Sequence, residues 1–252
     1  MVVLDRQEPN DKLLEQFGRQ ILVPGIDEQG QLQLSKRKIC IIGMGALGTI
    51  ASQYLVRSGI GEVHLIDPDT VEESNLHRQI NYSLNDIGKY KSEISQNILN
   101  NINDVTTISS FPTTFEEYLK AQAIDHFDLI FDCTDSHQNK IFSSKYCKKK
   151  FISFVSISIN SSDGIYFSQN YKNQNKTSSC FECLFPQSKY DHRCLNSAMI
   201  GPVAGFVTSL ACTKIIFALA NQDLRLKSEI CLIDLLTSDI NKLQLADINC
   251  PH

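Results

Sequence analysis

An apolar run that breaks into glycines constrains this chain more than any other segment: Lys38-Ile39-Cys40-Ile41-Ile42-Gly43-Met44-Gly45-Ala46-Leu47-Gly48. Residues suited to a buried strand lead into a G-x-G-x-x-G turn and the start of a helix. In such a unit Gly43 permits the tight turn, Gly45 lets backbone N–H groups approach a phosphate, and Gly48 lets the helix pack close to the strand. The helix N-terminus adds unpaired donors and partial positive charge, which suit an anion. Alone the pattern is weak, because a glycine turn also serves packing only. It is strengthened by Asp67, which closes the next apolar run, Val63-His64-Leu65-Ile66-Asp67, at about the spacing of an acceptor for ribose hydroxyls.

The alternation continues along the chain. Strands are expected at 38–42, 62–66, 105–110, 127–131 and 151–155, with helices at 46–58, 89–102, 114–123 and 137–149. An amphipathic helix at 11–22 carries Arg19. Strand–helix alternation builds a parallel sheet with right-handed crossovers. Around 160–170 the pattern turns hairpin-like, which suits antiparallel strands. Residues 169–179 read as a loop, 198–221 as a long buried helix, and 229–234 and 240–246 as strands. The expected class is therefore α/β: a Rossmann-like, mostly parallel sheet flanked by helices, with an antiparallel C-terminal extension. No repeat or separating linker is evident, so residues 1–252 are expected to form one domain.

The balance of 24 basic and 28 acidic residues, a formal net charge of −4, argues against a general nucleic-acid binder. Lys148-Lys149-Lys150 reads as a solvated helix end. No apolar stretch reaches the length of a bilayer span and no signal-peptide pattern opens the chain, so a cytoplasmic location without membrane contact is expected. Nine cysteines are too scattered for a disulfide framework there. Cys40, Cys133, Cys212 and Cys231 lie in apolar runs and read as core residues, and Cys147 sits on a polar helix. Cys180, Cys183, Cys194 and Cys250 remain, in irregular or terminal segments.

Four further features carry chemistry. Asp67-Pro68-Asp69 is followed by Ser74-Asn75-Leu76-His77-Arg78-Gln79, an odd sequel for a dehydrogenase but one that suits a triphosphate held by Asn75 and Arg78. A surface loop with an ordinary arginine is the alternative. Lys91 opens a helix, where a lysine can point at phosphate. Asp132-Cys133-Thr134-Asp135 ends a strand at the edge where open parallel sheets bind ligands, and Asp135 suits Mg2+ or, more plainly, a helix N-cap. Cys180-Phe181-Glu182-Cys183 is half of a tetrahedral zinc site, or else a redox pair without its usual thioredoxin-like setting.

Together with Gly18-Arg19-Gln20-Ile21-Leu22, these segments resemble the ThiF/MoeB/HesA family of ubiquitin-activating-enzyme-like adenylyltransferases, from about Leu14 to the C-terminus. Cys183-Leu184-Phe185-Pro186 and Arg193-Cys194-Leu195-Asn196-Ser197-Ala198-Met199-Ile200-Gly201-Pro202-Val203-Ala204-Gly205 are most similar to the thiamine-biosynthesis branch. The resemblance implies ATP-dependent adenylylation of the C-terminal glycine carboxylate of a small ubiquitin-like sulfur carrier (ThiS-like, or alternatively MoaD-like or another small protein or peptide), with release of pyrophosphate. It implies that Asp67 and Asp69 serve the nucleotide with Gly43, Gly45 and Gly48, that Asn75, Arg78 and Lys91 neutralise and orient phosphates, and that Asp135 holds Mg2+. Arg19 matches an arginine that reaches into the partner's site of a homodimer. Cys194 matches a nucleophile that forms an acyl-disulfide after a sulfurtransferase delivers persulfide sulfur, with His192 and Arg193 favouring its thiolate. The chain then divides into a helical arm (11–35), a nucleotide-binding part (37–157) and a carrier- and zinc-binding part (158–252).

Two departures qualify the match. The family's zinc site usually ends in a second C-x-x-C, whereas here Cys250-Pro251-His252 closes the sequence. Zn2+ is thus expected on Cys180, Cys183 and Cys250, with a truncated chain, His252 or an incomplete site as the alternatives for the fourth ligand. Ser136 stands where the family usually has Asn. Two other functions compete: an NAD-dependent oxidoreductase on the same turn, which leaves Arg78 and Lys91 unexplained, and a carrier-binding scaffold without turnover.

Overall fold

The structure, a computed structural model, describes residues 11–122, 126–171, 180–186, 198–221 and 226–245. Eight strands form one sheet in the order β3-β2-β1-β4-β5-β6-β7-β8. The strands are β1 (Lys38–Ile42), β2 (Glu62–Ile66), β3 (Thr107–Phe111), β4 (Leu129–Asp132), β5 (Ser153–Asn160), β6 (Asp163–Gln169), β7 (Glu229–Asp234) and β8 (Asp239–Gln244). β1 to β5 pair in parallel, with Ile42 opposite Ile66 on one side and Asp132 on the other. β5 to β8 pair antiparallel. This is the α/β sheet with an antiparallel extension that the alternation implies.

β1, β2 and β4 read as nearly continuous apolar runs because both of their faces are covered. On β1, Ile39 and Ile41 enter one core with Leu55, Val207 and Ile215, while Cys40 and Ile42 enter a second with Phe115, Phe127 and Phe154. The first core lies beneath α3 (Ala46–Arg57) and α8 (Gly201–Ala220). The second lies beneath α5 (Phe115–Ala121), α6 (His137–Lys150) and the short α7 (Phe181–Leu184). α1 (Asp11–Ile21), α2 (Asp27–Leu34) and α4 (Lys91–Leu99) complete the helices among the described residues.

Several expectations need correction. α8 is 20 residues long with a mean hydropathy of 1.9, enough by length and composition to cross a membrane. Half of it is buried within this fold, where Val207, Ala211 and Ile215 pack on the sheet and α3. Its apolar length therefore reflects a core position. α2 has no apolar period to announce it, and its Gly30 meets Ala220 at the end of α8, where an added Cβ would lie 3.2 Å from Ala220 Cβ. The strand after α6 starts at Ser153, two residues later than the expected 151, because Phe151 ends α6 in the left-handed conformation (φ 57°). Cys147, on a helix polar in composition, is fully buried in the second core. Cys40, Cys133, Cys212 and Cys231 are buried as expected.

Candidate active site

The chain crosses from the β2 side of β1 to β4 on its other side, so the loops after β1 and β4 diverge and open a cleft between them. The cleft has a volume of ≈ 1170 Å³. Gly43, Gly45, Asp67, Asp69, Asn75, Arg78, Lys91 and Asp135 all line it. Gly48 does not. A Cβ there would fall 1.8 Å from the Gly43 carbonyl oxygen, so Gly48 serves the closure of helix on turn. Gly43 adopts φ +87°, which disfavours any other residue.

Asp67 braces the turn. One carboxylate oxygen accepts from the Met44 N–H and the other from the Asp69 N–H at 2.7 Å. Burial raises its pKa, opposed by those two backbone donors and by the nearby Lys91 charge. Two bonds leave lone pairs for further acceptance, so bracing and ribose recognition are compatible. The Tyr82 hydroxyl, buried beneath, donates to Met44 O at 2.7 Å and lies 3.2 Å from Lys91 O, tying the turn to α4. Nothing in the sequence singles Tyr82 out, since a tyrosine after Ile80-Asn81 has no local signature.

The cationic groups already have partners. Lys91 is the first residue of α4; its buried Nζ lies 3.1 Å from Asp69 Oδ2, on a carboxylate that is 67% exposed. A triphosphate must therefore compete with Asp69 for this ammonium, or share it. Arg78 donates to Ser74 O at 2.8 Å and contacts His77 Nε2 at 2.7 Å. Asn75 is buried, and its Oδ1 accepts from Glu72 N at 3.2 Å, shaping the 3-10 turn at 73–75 that presents Arg78.

Across the cleft, Asp132 is fully buried and its Oδ1 accepts from Thr134 N at 3.0 Å and Thr134 Oγ1 at 2.7 Å. Lys140 on α6, also buried, places Nζ 3.5 Å from Asp132 Oδ1 and donates to Ser156 Oγ (3.1 Å) and Ile157 O (2.8 Å). This lysine, which the motifs do not flag, pins the end of β4 to the middle of β5. Asp135 is exposed at the lip. The helix cap belongs to Ser136, whose Oγ accepts from Asn139 N at 3.2 Å, so Asp135 is not consumed by capping.

Toward β6 the cleft becomes apolar, walled by Ile159, Ile165, Phe167, Phe181, Phe185 and Met199. Cys180 is the buried N-cap of α7 and Cys183 lies one turn on, their sulfurs 3.6 Å apart. The knuckle rests on α6 through Phe181 N to Ser144 Oγ (3.1 Å) and Lys145 to Glu182 (2.6 Å). Among the described residues no group of three or more His, Cys, Asp or Glu is placed to hold a metal ion. Cys194, Cys250 and His252 lie outside the described residues. Arg19 is exposed on α1 and does not line its own chain's cleft.

The profile of the ThiF family matches residues 17–252. The chain belongs to the ThiF family. Among curated relatives of this ThiF-family chain, the adenylyltransferase and sulfurtransferase UBA4 of Candida albicans is 32% identical over 197 residues, covering 77% of this chain and 44% of that protein. The adenylyltransferase and sulfurtransferase MOCS3 of Dictyostelium discoideum is 30% identical over 217 residues, covering 85% and 50%. The chain thus spans about half the length of these relatives. The crystal structure of E. coli MccB with AMPCPP and MccA shares the fold at a TM-score of 0.72 and 22% identity, over 87% of this chain and 67% of that one.

Proposed function

We propose that this chain is an adenylyltransferase that activates the C-terminal glycine carboxylate of a ubiquitin-like sulfur carrier. One observation carries the proposal: the switch-point cleft gathers Gly45, Asp67, Asn75, Arg78, Lys91 and Asp135 around a single volume large enough for ATP. Its family membership and the adenylyltransferase names of its relatives support the same chemistry. A carboxylate oxygen of the carrier attacks the α-phosphorus; the bond from that phosphorus to the bridging oxygen breaks, and pyrophosphate leaves with the electron pair. The products are an acyl-adenylate and pyrophosphate. An ionised carboxylate needs no general base, so the task is electrostatic. Arg78 and Lys91 offset charge on the leaving pyrophosphate, Asn75 orients it, and Asp67 receives the ribose. Asp135, with the exposed Asp69, would hold Mg2+, which would supply positive charge to offset that of the phosphates.

The apolar arm of the cleft, from Phe167 to Met199, suits a narrow peptide tail leading to the α-phosphate. The thiamine-type carrier is the reading favoured by Cys183-Leu184-Phe185-Pro186. A MoaD-type carrier is the second, favoured by the relatives UBA4 and MOCS3. Arg19, exposed and outside the lining of its own cleft, acts in the site of a second copy. The 3.6 Å sulfur separation in the knuckle is near the ~3.8 Å edge of a tetrahedral zinc–thiolate site, so Cys180 and Cys183 fit two of its ligands and Cys250 a third. The deciding experiment is carrier-dependent ATP–pyrophosphate exchange, run with ThiS-like and MoaD-like carriers from the same organism. Exchange with one carrier, lost in Asp135→Ala, is expected. Exchange with none would overturn the proposal.

A further inference from the structure

We infer that Gln79 is a further phosphate-binding residue of this cleft, outside the set of Asn75, Arg78 and Lys91; the inference rests on the cleft taking a nucleoside triphosphate. Gln79 ends the segment that begins at Ser74. Its N–H donates to Asn75 O at 3.0 Å and its carbonyl accepts from Tyr82 N at 3.2 Å, which fixes its backbone beside the glycine turn. Only 4% of the residue is exposed, yet its side-chain Oε1 is buried without a hydrogen-bond partner. That oxygen is an acceptor, which a phosphate cannot satisfy, and its lack of a partner leaves the orientation of the amide unset by the protein.

The direction of the amide donor identifies what it can meet in the cleft. A Cβ built on Gly45 would stand 3.7 Å from Gln79 Nε2, so the amide donor faces the bare Cα of the turn, and both residues line the cleft. Gly45 is also the N-cap of α3 and supplies no side-chain cap, which leaves the first N–H groups of that helix for a ligand. A phosphate oxygen drawn to those N–H groups lies next to Nε2 and accepts a charge-assisted hydrogen bond from it. Phosphate offers acceptors only. It therefore selects the amide orientation with Nε2 inward, an orientation that no protein partner of Oε1 sets in the unliganded chain.

The test titrates the full chain with ATP and with adenosine, in wild type, Gln79→Met and Gln79→Glu. Gln79→Met keeps the shape and removes the donor, and is expected to weaken ATP by about tenfold or more, with adenosine held within about twofold. Gln79→Glu sets a carboxylate against the phosphates and weakens ATP further. ATP affinity in Gln79→Met within about twofold of wild type, or equal weakening of ATP and adenosine, overturns the inference. Should either variant fail to fold, the side-chain NH2 resonances of Gln79 in the unsubstituted chain, assigned through its own backbone, serve instead. They are expected to shift with ATP and stay in place with adenosine; resonances unmoved by ATP overturn the inference. Wild-type chain that binds no ATP overturns the proposed function itself, whereas ATP binding indifferent to Gln79 leaves that function standing.

Discussion

Gly45 and Gly48 stand three residues apart in one turn under opposite constraints. An added methyl at Gly48 collides with the Gly43 carbonyl oxygen at 1.8 Å, whereas at Gly45 it meets only Gln79 Nε2 at 3.7 Å. Gly48→Ala is therefore expected to destabilise the fold by at least about 1–3 kcal/mol in urea titration. Gly45→Ala is expected to melt close to wild type and to lose ATP affinity, because the methyl occupies the space beside the phosphate. His64 carries a separate prediction. Its Nδ1 lies 2.7 Å from the Tyr118 hydroxyl and its Nε2 2.7 Å from Glu62, so a neutral ring donates from Nε2 and accepts at Nδ1. Phe111 and Phe127 crowd the ring, and Lys38 pairs with Glu62 at 2.9 Å. Burial, with the Lys38 charge, lowers the His64 pKa against the pull of Glu62. The unfolded chain then binds more protons below about pH 6.5, so stability is full above that value and falls as pH drops toward the folded-state pKa. The lowered pKa of Glu62 acts in a lower window, below its ordinary 4.5, and does not mask the effect. The melting temperature is expected to fall between about pH 7 and pH 5. His64→Gln should flatten that slope, and an unchanged slope would remove His64 as its source.

At the scale of elements, α6 ties β4, β5 and α7 together. Lys140 crosses from α6 to Asp132 on β4 and to Ser156 and Ile157 on β5, while Lys145 of the same helix pairs with Glu182 of α7. Asp132 in turn holds Thr134, and so the approach to Asp135. Lys140→Ala leaves a carboxylate buried without its counter-charge and is expected to cost about 3–5 kcal/mol by chemical denaturation. A loss below about 1 kcal/mol would show that Asp132 does not depend on this counter-charge. α8 was legible as a long buried helix because its apolar content runs all the way round. α2 was not, because Gly30 and three glutamines obscure its period and only its contact with Ala220 explains the glycine.

For the whole molecule, the position of Arg19 has the largest consequence. It lies on α1, exposed and away from the cleft of its own chain, whereas Asp135 lies at the cleft's lip. If each active site takes its arginine from a second copy, Arg19→Ala and Asp135→Ala chains are each inactive alone. Mixed and allowed to reassort, they form heterodimers with one intact site, and about a quarter of wild-type exchange activity is expected to return. No recovery on mixing, with dimers verified by sedimentation, would place Arg19 outside the chemistry.

Local chemistry was enough to specify the strands, the glycine turn and the acidic strand ends, because each depends on a residue's own burial tendency or backbone freedom. β1 and β2 span the residues expected from their apolar runs, since both faces of a covered strand demand the same kind of side chain. Motif spacing likewise brought Asp67, Asn75, Arg78, Lys91 and Asp135 to a common cleft. Folding alone decided which groups are already engaged: Asp67 with the turn's N–H groups, Lys91 with Asp69, Ser136 rather than Asp135 at the cap. Folding also placed Tyr82, Gln79 and Lys140 in the site, since their contacts join segments far apart in sequence or depend on how loops stack, and a linear pattern records neither.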